Sequence, residues 1–163
     1  MTAFFRTFRL LFILGALGVT TGTAWAATRP FADGSYESIR KAHQWQPFAL
    51  VFWSVECSPC VKELSLLAAA VKQHTKMKLV LVSTDESAYR AKVEEMLVKH
   101  GLEHVESWMF GDDDSSRLRY QVDPRWYGEL PRSYFYDAQH HRTALTGAMT
   151  AEHLDSWLKT ARQ

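Results

Sequence analysis

The chain has only two cysteines among its 163 residues. A structural zinc site usually takes four ligands, from two Cys-x-x-Cys pairs or from one pair and two spaced histidines. There is no second cysteine pair. His140 and His141 are adjacent, and Gly101, a helix stop signal, falls between His100 and His104. Zinc binding is therefore not expected. Nor is there a basic excess: 19 Lys and Arg stand against 18 Asp and Glu, which gives no sign of a nucleic-acid partner. Internal repeats and low-complexity linkers are missing. The N-terminal apolar run, residues 10–19, is too short and too rich in glycine for a comfortable transmembrane span.

That run has another reading. Arg6 and Arg9 precede it, and Ala24-Trp25-Ala26 follows as an A-x-A cleavage signal. Residues 1–26 are expected to be an export signal peptide, with an uncleaved membrane anchor as the alternative. Cleavage leaves 137 residues of formal charge −1, a length that suits one domain with its own core. Export implies an oxidising compartment, expected to be the periplasm, where disulfides persist.

What the chain does have is a telling placement of its two thiols. Cys57-Ser58-Pro59-Cys60 follows the apolar run Phe48–Trp53 and opens a helical stretch. Thiols two residues apart can close a disulfide across one helical turn. At a helix N-terminus, unpaired N–H groups and the macrodipole favour thiolate on the first sulfur. Cys-x-x-Cys thiolates titrate below the free value of about 8.5. The arrangement suits thiol–disulfide exchange. A purely structural disulfide is the plain alternative, but so short a loop removes little chain entropy. A redox-sensing or copper-handling module is a third reading; copper would want His or Met beside the thiolates, and the motif holds neither.

Hydrophobic patterning around the motif alternates strands with helices. Residues 27–34 read as an extended leader and 35–44 as a short helix with Tyr36 and Ile39 on one face. Together they form a leader segment, 27–46, ahead of a domain over 47–163. Strands are predicted at 48–53, 78–83, 105–110, 132–137 and 142–146. Helices are predicted at 58–74, 87–100, 115–120 and 151–161, the first with Leu64, Leu67, Ala68 and Val71 as its apolar face. Gly101 stops one helix and Thr150 caps another. The acidic turn at 111–114 is expected to cap the helix after it, since calcium needs more oxygen ligands. This order implies an α/β fold with a mixed sheet.

With this order and motif the chain resembles the thioredoxin superfamily, and within it the exported TlpA-like group of ResA and DsbE type. The resemblance spans roughly residues 47–162. Phe52-Trp53 stands at the family's Phe-Trp. Cys57 matches the exposed nucleophilic cysteine and Cys60 the resolving one. Glu63 matches the acidic residue of the group's Cys-x-Pro-Cys-x-x-Glu signature. Tyr120-Gln121-Val122 resembles a Tyr-x-Val that precedes the cis-proline loop, and Pro131 the cis-proline that faces the disulfide. Pro124 is the weaker match, because no convincing strand follows it, whereas Gly128 permits a tight loop before Pro131. The resemblance implies a thioredoxin fold, a central mixed sheet flanked by helices. The long stretch between Cys60 and Pro131 suits the group's strand–helix insertion. It further implies a thiol–disulfide oxidoreductase without a cofactor, acting on disulfides of exported proteins and served by a thiol-reducing membrane electron donor. Reduction is the expected direction; oxidation or isomerisation is the alternative.

The chain departs from the family at several positions. Glu56 stands where the family usually has Trp, either raising the pKa of Cys57 by like-charge repulsion or sitting solvated on the surface. Val51 replaces the buried Asp of compact thioredoxins, which leaves Glu63 as the acid/base candidate, its alternative being a surface helix carboxylate. Leu64-Ser65 stands where a proline is common. Residues 123–130 are longer than usual and carry Trp126 and Tyr127, which either line a substrate groove or cover the sheet end as core aromatics. The expected catalytic set is Cys57, Cys60, Glu63 and Pro131. The expected substrate contacts are Trp53, Glu56, Trp126, Tyr127 and Leu130.

Overall fold

The computed structural model describes residues 27–161. The expected signal peptide lies outside them. Six strands form one sheet: β1 (Arg29–Pro30), β2 (Phe48–Trp53), β3 (Lys78–Ser83), β4 (Glu106–Met109), β5 (Arg132–Tyr136) and β6 (Arg142–Thr146). Five helices accompany it: α1 (Ser35–Ala42), α2 (Ser58–Gln73), α3 (Arg90–Lys99), α4 (Ser115–Val122) and α5 (Ala151–Thr160). The sheet order is β1-β4-β3-β2-β5-β6. The first four are mutually parallel, β5 runs antiparallel to β2, and β6 to β5. This is the mixed α/β sheet expected from the sequence. The α3–β4 unit lies between Cys60 and Pro131, with β4 docked on the outer side of β3.

Strand β2 is buried along all six residues because both sheet faces are covered. Its side chains alternate between two cores. Ala49, Val51 and Trp53 face a layer supplied by α2, α3 and α5, through Leu64, Leu67, Val93, Leu97, Leu154, Trp157 and Leu158. Phe48, Leu50 and Phe52 face α1 and α4, through Tyr36, Ile39, Leu118 and Val122. Each buried Val, Leu, Ile or Phe among them contributes about 1.5–3 kcal/mol relative to exposure. On α2, Leu64 and Leu67 are buried as predicted, while Ala68 and Val71 only border the core.

Three local outcomes differ from the hydrophobic pattern. The leader is not merely extended. Its two-residue strand β1 pairs with β4, Phe31 N–H donates to Met109 O at 2.7 Å, and Phe31 is buried. Two residues are too few to show alternation. The helix predicted over 87–100 begins as a 3-10 turn at Ser87–Tyr89 and becomes α-helical only at Arg90. Helix α4 runs two residues beyond the predicted end. Its cap follows expectation: Asp114 accepts from Ser116 N–H at 2.9 Å and Arg117 N–H at 3.2 Å.

A buried ionic cluster ties the loop after α4 to the β5–β6 hairpin. Asp123, 1% exposed, accepts from Arg132 at 3.0 Å and lies 3.6 Å from Arg142. Both guanidinium carbons sit 4.9 Å from the ring centre of Tyr134. Burial works against the Asp123 charge. The Arg125 N–H, the Arg142 charge and the Arg132 hydrogen bond outweigh it and hold the carboxyl below its usual range. Removing Asp123 would leave two cations without their shared partner. Asp123→Ala should therefore lose about 3 kcal/mol, seen as a lower urea midpoint. A loss below about 1 kcal/mol, the scale of exposed pairs, would refute a structural role for the cluster.

Candidate active site

Strand β2 ends at Trp53, and four residues later the chain turns into α2. Cys57 is the N-cap of that helix, in extended conformation, and Pro59 occupies its first turn, where no N–H is needed. Cys57 and Cys60 are joined by a disulfide with an S–S distance of 2.02 Å and Cα atoms 5.2 Å apart. Cys60 N–H donates to Cys57 Sγ at 3.2 Å, so the first sulfur lies on the helix N-terminus. Cys57 is half-buried, whereas Cys60 is 1% exposed and packs within the α2-side core.

Glu63 lies one helical turn beyond Cys60 and is 4% exposed, so it is not the surface carboxylate of the alternative reading. Its Oε2 accepts from Met149 N–H at 3.0 Å, while Oε1 has no hydrogen-bond partner among the described residues. Ser133, opposite Val51 in the sheet, is buried nearby with its hydroxyl equally unpaired. Burial raises the Glu63 pKa; the Met149 N–H and Ser133 pull the other way without cancelling it. A cleft of about 240 Å³, lined by Pro59, Lys62, Glu63, Leu66, Ala148 and Met149, runs beside it. A larger cleft of about 540 Å³ lies at the opposite end of β2, lined by Pro47, Met77 and Trp157 among others, away from the cysteines.

The remaining predicted residues are spread unevenly. Glu56 is exposed, and its Oε1 accepts from the Tyr89 hydroxyl at 3.2 Å. The Glu56 charge and this bond hold the Tyr89 hydroxyl above its usual range. Trp53 is 1% exposed in the core beneath the motif, so it supports the site from below. Trp126 is also core: it is 3% exposed, its ring lies 4.6 Å from that of Phe52, and Nε1 donates to Glu129 O at 3.0 Å. It belongs to the face opposite α2, the second of its two readings. Tyr127, in contrast, is 82% exposed.

The Leu130–Pro131 bond is cis. Arg132 pairs with Phe52, so Pro131 sits level with the end of β2, where that strand runs toward Cys57. Pro131 O accepts from Gly147 N–H at 2.9 Å. Among the described residues, no backbone hydrogen bond involves Leu130.

Sequence reasoning missed the polar groups that support the motif. Asp85, just beyond β3, is 8% exposed and hydrogen-bonded to the residues ahead of Cys57. Met149 and Ser133 complete the surroundings of Glu63. One signal was available for Asp85: functional groups in parallel sheets gather beyond the carboxyl ends of strands.

No protein-family model matches the chain. No curated protein matches it either. Solved structures do. A secreted disulfide oxidoreductase of Mycobacterium tuberculosis, described as homologous to E. coli DsbE, is 19% identical, with 73% of this chain and 84% of that one covered and a TM-score of 0.58. StoA from Bacillus subtilis is 24% identical over 71% and 84% of the two chains, with a TM-score of 0.54. A secreted thiol-disulfide isomerase of Corynebacterium glutamicum is 16% identical over 76% and 75%, with a TM-score of 0.60. These likenesses establish a thioredoxin-like fold.

The raised pKa of Glu63 has a stability consequence. A carboxyl whose folded pKa lies above its unfolded one supports folding when protonated, below the unfolded pKa. That support is lost as pH rises through the folded value. Glu63→Gln keeps the neutral form at every pH. It should raise the melting temperature at neutral pH, and the gain should vanish as pH falls below the ordinary carboxylate range. A gain that grows on acidification would contradict the burial of a charge.

Proposed function

We propose that this protein is an exported thiol–disulfide oxidoreductase that reduces disulfides in other exported proteins. One observation carries the reading: a disulfide capping a helix N-terminus, with its first cysteine half-buried and its second fully buried. The fold shared with secreted thiol–disulfide proteins supports it, as does the export signal read from residues 1–26, which favours the periplasm. In this reading the leader adds strand β1 to the sheet, and the catalytic residues all belong to the thioredoxin-like domain that follows it.

In the reduced protein, the Cys57 thiolate attacks one sulfur of a substrate disulfide. A mixed disulfide forms and one substrate thiolate leaves. Cys60, deprotonated, then attacks the Cys57 sulfur; the second substrate thiolate leaves and the Cys57–Cys60 disulfide closes. Glu63 accepts the Cys60 proton. Its raised pKa suits transfer nearer neutral pH, and the cleft along Pro59 and Lys62 gives that proton a way out. Leu130, with an uncommitted backbone, pairs with an extended substrate beside Pro131 in the manner of strand addition, and exposed Tyr127 gives it an aromatic contact. Glu56 flanks the nucleophile, while Trp53 and Trp126 hold the surrounding loops from within the core. Two electrons from a thiol-reducing membrane donor reset the pair.

The test combines labelling with trapping. Iodoacetamide should modify Cys57 first in the reduced protein, and Cys60→Ser should hold exported proteins on Cys57 as mixed disulfides that dithiothreitol releases. Preferential labelling of Cys60, or no trapped protein, would overturn the assignment.

A further inference from the structure

The three residues ahead of Cys57 have no regular partners, yet their conformation decides where its sulfur sits. Asp85 supplies what is missing. Its Oδ1 accepts from Ser54 Oγ–H at 2.7 Å, and its Oδ2 accepts from Val55 N–H at 3.1 Å and Ser83 Oγ–H at 2.6 Å. Ser54 Oγ in turn accepts from Glu56 N–H at 3.1 Å. Cys57 N–H then donates to Ser54 O at 3.2 Å. Three successive N–H groups, those of Val55, Glu56 and Cys57, are thus held by Asp85 or by Ser54. Ser83, the last residue of β3, holds Asp85 twice, since its Oγ also accepts from Asp85 N–H at 3.1 Å. Thr84 N–H donates to Trp53 O at 2.9 Å, which locks the same segment to the end of β2.

This is an unusual investment for a loop. A carboxylate 8% exposed has both oxygens engaged, and neither meets a cation among the described residues. A buried charge satisfied only by neutral donors is expensive unless its geometry is needed. We infer that Asp85 is a positioning residue for Cys57: acting through Ser54, it fixes the 54–57 turn so that the Cys57 sulfur stays on the N-terminus of α2. The inference rests on the exchange chemistry proposed above and adds to it a residue distant in sequence from the motif.

The physical consequence is directional. In the disulfide form Cys57 Sγ meets Cys60 N–H; in the reduced protein, with that tether gone, the turn has to hold the sulfur there. If the turn loosens, the sulfur loses helix-terminal stabilisation and its thiolate becomes harder to form. A carboxylate acting merely as a nearby negative charge predicts the reverse, since its removal would make the thiolate easier to form.

The experiment follows iodoacetamide alkylation of Cys57 against pH in the reduced protein, alongside thermal unfolding. Ser54→Ala changes no charge. It should move the half-maximal alkylation pH upward by about one unit and slow alkylation at neutral pH several-fold, while Ser54→Thr, which keeps the hydroxyl, should stay near wild type. Asp85→Asn should shift in the same upward direction, because an amide cannot accept with both of its terminal atoms. An unchanged profile in Ser54→Ala, or a downward shift in Asp85→Asn, would overturn the inference. Alkylation needs no disulfide substrate. A wild type that alkylates normally but exchanges with no disulfide would therefore fail the functional proposal and leave this test readable.

Discussion

A single hydrogen bond, Cys60 N–H to Cys57 Sγ at 3.2 Å, marks the junction on which the site depends. It exists because strand β2 stops and helix α2 starts within five residues, and because the sheet is buried on both faces. The unbroken apolar run Phe48–Trp53, its side chains pointing alternately to the two faces, plants the strand in two cores at once. Leu64 and Leu67 then press α2 against one of them. The helix N-terminus is left at the open end of the sheet, where its unpaired donors face a sulfur.

Two buried carboxylates hold the surroundings in different ways. Asp123 is matched by arginines and anchors the loop that carries Tyr127 toward Pro131. Glu63 has one amide partner and, among the described residues, no cation, so burial dominates and its pKa rises. The contrast is electrostatic. A paired carboxylate is a fixed strut, whereas an underpaired one is poised to take up a proton. That difference fits the first for stability and the second for chemistry.

Much of this was legible in the sequence because it is local. Short continuous apolar runs located β2 and β3, and the Cys-x-Pro-Cys spacing located the helix cap. Pro131, ahead of an apolar strand and after Gly128, is legible as the cis-proline that the resemblance implies, and its bond is cis. What stayed hidden depends on distance in the chain. Glu63 is buried by Met149, 86 residues away, and a helix carboxylate gives no hint of that. Asp85 reaches Ser54 across the β2–β3 pairing. Trp126 reads equally well as a groove or a core residue until its contact with Phe52 assigns it to the core. Strand β1 was invisible because its pairing with β4 is created by the fold alone.

The most direct test of the account is the reduction potential of the Cys57–Cys60 pair, measured at equilibrium with glutathione. A strongly oxidising pair requires a reduced form stabilised as thiolate. Here Glu56 directly precedes the nucleophile, so its negative charge opposes that stabilisation. The account predicts a reducing potential, near the roughly −270 mV of thioredoxin. A value near the roughly −120 mV of a dedicated oxidant would contradict it.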